Sequence, residues 1–281
     1  MARATALTPL LVLSESTADS AVEYVIGGLE LGGAEREAAA QLLADTAMQI
    51  VCGESPVLDR WRGRRDGGPP ETGTALKAVE TFMSIGFGTP DNPPNDDHLQ
   101  GHIAELIWYL VIAERLVARD GRVLVRAHPV KADPLEPGGD GLVVYANPSG
   151  DYVFRLWEIK KHTAQAVISG TINRAGKQLA KRGHEYLAKL SGPESMIEDV
   201  SLRDMYSSMV DLWFDRSAKA GVGVSVGTSA STAPHSHRSF GSIRATFPAF
   251  ALPAQTEAIV VAIPDFAGFA SRVKDIVWSG L

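Results

Sequence analysis

Cysteine is almost absent: Cys52 is the only one in 281 residues. No intrachain disulfide can form and no cysteine-based zinc site is available, so a reducing, cytoplasmic setting is expected. Long apolar runs are missing too. The most apolar helix candidate, residues 103–118, carries Glu105, Glu114 and Arg115, which makes it too short and too charged to span a bilayer. The opening MARATALTPLLVLSES has one Arg and a short apolar stretch broken at Thr8-Pro9, so no secretory leader is expected. Positive charge is not in excess. The net charge of −6 excludes a generally basic nucleic-acid-binding surface and leaves room only for a local patch. Neither a G-x-x-x-x-G-K-[ST] phosphate loop nor a G-x-S-x-G elbow occurs, so any energy from ATP has to come from a partner.

What remains is ordinary globular composition, 45% hydrophobic and 21% charged, without an internal repeat. The N-terminal third reads as helical. SAVEYVIGGLEL and AEREAAAQLLADTAMQIV space their apolar residues as helices do, and a further helix is predicted near 74–85. SPVLDRWRGRRDGGPPETG and GTPDNPPNDD read as loops, and a long helix follows from about His98 to Val117. RVLVRAHPV, DGLVVYAN and DYVFRLWEIKK then read as three strands, followed by a basic helix from about Thr171 to Leu190. A helix near 200–214, the strand AGVGVSV, a Ser/Thr-rich loop, the strand EAIVVAIP and the closing helix DFAGFASRVKDIVW complete the chain. The expectation is an α/β fold: a mixed sheet flanked by helices, with a helical N-terminal region over residues 1–95 and the main domain over 96–281.

The second and third of these strands flank Asn147-Pro148-Ser149-Gly150, a hairpin signal. A turn centred there sets Asp140 opposite either Trp157 or Glu158. In the second register Asp140, Glu158 and Lys160 cluster on one face, above an apolar floor of Leu142, Val144, Phe154 and Leu156. Two carboxylates facing across a ladder repel each other, and partial burial raises the cost. A divalent cation would neutralise them, and carboxylates with waters suit Mg²⁺. Lys160 would then orient a water or offset charge developing on a phosphate. The bland alternative is an ordinary salt bridge at the end of a sheet.

At these residues the sequence resembles the PD-(D/E)xK nuclease superfamily: a helix bearing a Glu, a β-meander with Asp on its second strand and (D/E)-x-K on its third, then a helix. Glu105 in GHIAELIWYLVIAE, Asp140 in PGGDGLVV, and Glu158 and Lys160 in LWEIKK occur in that order. The resemblance covers about residues 98–190. It implies a restriction-endonuclease-like fold with a helical N-terminal extension and a DNA-cleaving activity supported by Mg²⁺, with Mn²⁺ as the alternative. Asp140 and Glu158 would be metal ligands, Glu105 an outer or water-mediated one, and Lys160 the water-activating residue. No Pro directly precedes Asp140. The Q-x-x-x-Y signature of some relatives is not met, since Arg182 stands four residues after Gln178. The helical N-terminal region and the C-terminal segment also resemble small anti-phage nucleases, such as the nuclease subunit of Hachiman-type defence. That implies DNA and a helicase or ATPase as partners, and leaves a homo-oligomer open.

The segment 155–190 holds eight Lys and Arg against Glu158 and Glu185. Lys161, Arg174, Lys177, Lys181 and Arg182 follow the proposed site, where a phosphate backbone would lie; a solvated helix face is the plain alternative. Arg60, Arg62, Arg64 and Arg65 surround Trp61, which suits backbone contact with stacking or a mobile surface loop. His102, one turn before Glu105, is expected at the surface. His235 and His237 form an H-x-H pair in a Ser/Thr-rich stretch with no third ligand in view.

Overall fold

Apolar residues on both faces of the hairpin DGLVVYAN–DYVFRLWEIKK place those two strands inside a larger sheet, and the strand before them lies at its edge. The structure is a computed structural model and describes residues 4–18, 21–133, 139–163 and 166–281. A short helix α1 (Thr8–Leu11) leads into strands β1 (Ser14–Thr17) and β2 (Glu23–Gly27). Four helices follow: α2 (Gly33–Cys52), α3 (Pro56–Arg65), α4 (Gly73–Phe87) and α5 (Asp96–Glu114). The meander is β3 (Val123–Ala127), β4 (Gly141–Ala146) and β5 (Tyr152–Lys161). After it come α6 (Ile168–Glu194), α7 (Val200–Phe214), β6 (Val222–Ser229), α8 (Gly241–Thr246), β7 (Thr256–Ile263) and α9 (Phe266–Trp278).

The seven strands form one mixed sheet in the order β1-β2-β7-β6-β5-β4-β3. The β5–β6, β6–β7 and β7–β2 pairs are parallel, and the others are antiparallel. Alternation along β4 and β5 divides the core in two. Leu142, Val144, Phe154 and Leu156 pack with Ile172, Leu179 and Leu187 of α6 and with Met205, Tyr206 and Met209 of α7. Val143, Val153, Trp157 and Ile159 face Leu106, Ile107, Trp108 and Val111 of α5, in a cluster that continues to α2, α3, α4 and α9. The apolar floor expected beneath the acidic residues is therefore present.

Two segments depart from the sequence reading. SAVEYVIGGLEL, read as a helix, contains β2, which pairs with β7 along Glu23↔Glu257 to Gly27↔Val261. Its Tyr-Val-Ile run fits a pleated surface, and a partner more than 230 residues away decides the outcome over local spacing. The first 95 residues thus supply two strands, β1 at the sheet edge and β2 beside it, as well as helices. SPVLDRWRGRR, read as a loop, contains α3. Ser55 is extended at its N-cap, Pro56 occupies the first turn, Asp59 follows, and Arg62, Arg64 and Arg65 lie in the last turn, a charge order that complements the helix dipole. Among the described residues no helix is long and apolar enough to cross a membrane.

Candidate active site

The β4–β5 register runs Gly141↔Trp157, Leu142↔Leu156 through to Ala146↔Tyr152. Continued one step, it sets Asp140 across from Glu158, the second of the two registers the turn allowed. Asp140 lies just before β4, and its Oδ2 accepts a hydrogen bond from the Ile159 backbone N–H at 2.8 Å. Gly141 lets the chain reach this position, because a Cβ there would come within 2.1 Å of the Trp108 ring. Lys160 Nζ pairs with Glu158 Oε1 and lies 3.9 Å from Asp140 Oδ2. The Glu158 side chain is fully buried, while that of Lys160 is one-third exposed. One ammonium thus sits between two carboxylates at the end of the hairpin.

Burial pushes the Glu158 carboxyl above the usual carboxylate range, the Asp140 charge adds to this, and Lys160 opposes it. Burial also raises Asp140, against the pull of Lys160 and the Ile159 N–H. Lys160 is itself held above its ordinary value: burial works against its charge, but Asp140 and Glu158 outweigh it. Glu105, on α5, a helix that packs against β5 and β6, belongs to the same electrostatic group. Burial raises it, Asp140 raises it further, and Lys131 and Lys160 pull it back.

Among the described residues no group of three or more His, Cys, Asp or Glu side chains is placed to hold a metal ion. Glu105 therefore does not join Asp140 and Glu158 in such a group, although its charge is felt with theirs. The donor set still suits a divalent cation. Glu158 is buried and Asp140 and Glu105 are partly so. Burial raises all three proton affinities, repulsion between the carboxylates adds to this at Glu105 and Glu158, and a hard, oxygen-preferring ion would relieve the repulsion.

Lys131 has no sequence pattern to announce it. It follows β3 in HPVKADP, and the His128 N–H to Leu142 O hydrogen bond of 3.0 Å continues the β3–β4 pairing toward Asp140. Its charge acts on both Glu105 and Asp140. A second hidden group lies elsewhere in the sheet. Arg122 and Arg155, both buried, share Glu257 at 2.9 and 3.3 Å, and Arg122 also pairs with Asp120. Arg155 therefore does not belong to the basic surface its sequence position suggested.

Of the other basic candidates, Arg174, Lys177, Lys181 and Arg182 are exposed on α6. Arg182 pairs with Glu185 at 3.0 Å. Lys161 is engaged by Asp97, in the first turn of α5. Gln178 donates to the Tyr186 hydroxyl at 3.0 Å across two turns of α6. The arginine-rich segment is not a stacking loop. Trp61 is fully buried with its indole N–H on Val277 O at 2.7 Å, and Asp45 holds both Arg62 and Arg65. Burial of the aromatic ring pins the arginines as a structural rim, and of the four only Arg60 is exposed. His102 is not at the surface. It is 2% exposed, edge-on to Phe87, with no hydrogen-bond partner on either ring nitrogen among the described residues. Helical periodicity turns it to the interior, between Leu99 and Leu106. His235 is exposed and His237 is half-buried on a 3₁₀ turn, His237–Phe240. No protein-family model matches the chain, and no curated protein sequence matches it significantly.

Proposed function

We propose that the protein is a metal-dependent nuclease that hydrolyses phosphodiester bonds of DNA on a restriction-endonuclease-like sheet. The observation that carries this reading is the convergence of Asp140, Glu158 and Lys160 at the end of one hairpin. Asp140 and Glu158 would hold Mg²⁺, with Glu105 as an outer carboxylate; bound there, the ion supplies Lewis-acid polarisation and acidified water. Lys160, kept protonated by its two neighbours, orients the attacking water and offsets negative charge growing on the phosphate. Lys131 adds a second positive charge on the Glu105 side. The exposed basic residues of α6 contact the nucleic-acid backbone without reading its sequence. The family resemblance extends the proposal to anti-phage defence in the cytoplasm, beside a helicase or ATPase.

The second reading is a non-catalytic DNA-binding or assembly subunit. The observation in its favour is that the Lys160 ammonium rests on Glu158, as it would in a structural ion pair. A cleavage assay on linear and circular DNA separates the two. The nuclease reading expects product with Mg²⁺, none with EDTA, and at least a hundredfold slower cleavage by Lys160→Ala with DNA affinity within threefold of wild type. Metal-independent cleavage, or full activity in Lys160→Ala, contradicts it.

A further inference from the structure

Beyond the end of β5, the His162 N–H donates to Gly227 O at 2.9 Å, fixing the chain as it leaves the sheet. His162 is 4% exposed and Thr171, in the first turn of α6, 1%. The His162 Nδ1 lies 2.9 Å from Thr171 Oγ1, and Arg174 Nη2 donates to that same oxygen at 3.0 Å. Arg174 is exposed. A hydrogen-bonded chain thus runs from the buried end of the catalytic strand to a guanidinium at the surface.

Donor inventory fixes the direction of its outer link. Arginine only donates, so Thr171 Oγ1 accepts from Arg174 and its own hydrogen is free to go to His162. The hydroxyl keeps a second lone pair as well, so the Thr171–His162 hydrogen bond runs in either direction according to the imidazole tautomer, and burial disfavours the charged form of His162. The neighbouring cations differ. Lys177 and Lys181 are exposed, and neither has a hydrogen bond or ion pair among the described residues. Arg182 is spent on Glu185. Among the described residues, Arg174 is therefore the one exposed cation along α6, Lys189 included, whose charged group is tethered from below and not paired with a carboxylate. A planar donor fork held in place loses less freedom when it meets a phosphate than a lysine on a loose stem.

We propose that His162 and Thr171 are positioning residues that hold Arg174 as a fixed phosphodiester contact on the strand entering the site. This rests on the nuclease reading and names the anchor that sets where the backbone lies relative to Lys160. The chemistry recognised is a phosphodiester oxygen, with no base selectivity from this contact.

The test is fluorescence anisotropy of a labelled DNA duplex with the full-length chain in EDTA across a salt series, followed by steady-state cleavage in Mg²⁺. Arg174→Ala is expected to weaken binding roughly three- to tenfold and to lower the slope of log K against log salt by about one. Thr171→Val should reproduce the affinity loss, and Thr171→Val combined with Arg174→Ala should bind no more weakly than Arg174→Ala alone. KM should rise by a larger factor than kcat falls. Thr171→Ser, which keeps the hydroxyl, should restore wild-type binding, while Arg174→Lys, an exposed substitution that leaves the core intact, should not. Wild-type affinity in Thr171→Val or Arg174→Lys, additive losses in the double variant, or a Thr171→Ser as weak as Thr171→Val would each overturn the tether. Failure of the wild-type chain to bind DNA would instead overturn the nuclease reading together with this inference.

Discussion

The Asp140 carboxylate accepts the Ile159 backbone N–H at 2.8 Å, so the start of β4 is tied to the end of β5 by a side chain. The bond closes the hairpin where the ladder has ended and holds the carboxylate beside Glu158 and Lys160. It also removes one freedom that the unpaired end of a strand would otherwise keep.

The backbone beside Asp140 has no spare room. A methyl group on Gly141 would meet Trp108 carbons at 2.1 and 2.6 Å, and Trp108 is itself fully buried against Trp157. Gly141→Ala is expected to cost about 1–3 kcal/mol by overpacking and to displace Asp140 from Ile159. Chemical denaturation and the cleavage assay together check this: the expected outcome is a lower midpoint with a larger loss of activity than of DNA binding.

His102 makes stability depend on acid pH. Burial lowers its pKa from 6.5 to about 4, although the charge of Asp133 pulls the other way. A folded pKa below the unfolded one gives stability that is whole above pH 6.5 and is lost as pH falls through 4, by up to about 3 kcal/mol at 1.36 kcal/mol per unit. Denaturation midpoints between pH 7 and 4 measure it. His102→Phe, which forfeits no hydrogen bond among the described residues, should flatten the fall in that window; an unchanged pH profile would show that the ring does not titrate there.

Trp61 serves the core, not nucleic acid. Trp61→Ala is expected to destabilise the fold by about 3–5 kcal/mol through the lost burial, with the Val277 O hydrogen bond lost as well. If the folded fraction is matched by melting, DNA affinity should be unchanged. A stable variant with weakened DNA binding would return this tryptophan to the surface role its arginine neighbours suggested.

The meander and its acidic end were legible because period-two alternation and a four-residue turn signal fix faces and register locally. Asp140 and Glu158 could be placed opposite each other from the turn alone, to within one residue. Lys131 could not, since it lies in an irregular connection and is brought in only by the β3–β4 pairing. Nor could the Arg122–Glu257–Arg155 cluster or the tether from His162 to Arg174, whose partners are joined by folding and not by spacing. β2 was misread for the same reason: its hydrogen bonds go to β7, at the other end of the chain. The basic character of α6 was legible from composition. Which of its cations are neutralised or tethered depended on Glu185 and Thr171, and so on rotamers that no pattern encodes.

The most direct measurement is calorimetric titration of Mg²⁺ into the metal-free protein and into Asp140→Asn at pH 7.5. If the carboxylate pair holds the ion, the wild-type chain gives saturable binding with proton release, and Asp140→Asn loses at least tenfold in affinity. No heat of binding in the wild-type chain, or equal affinity in the variant, would contradict a cation site at Asp140 and Glu158, leaving Lys160 as a structural ion pair.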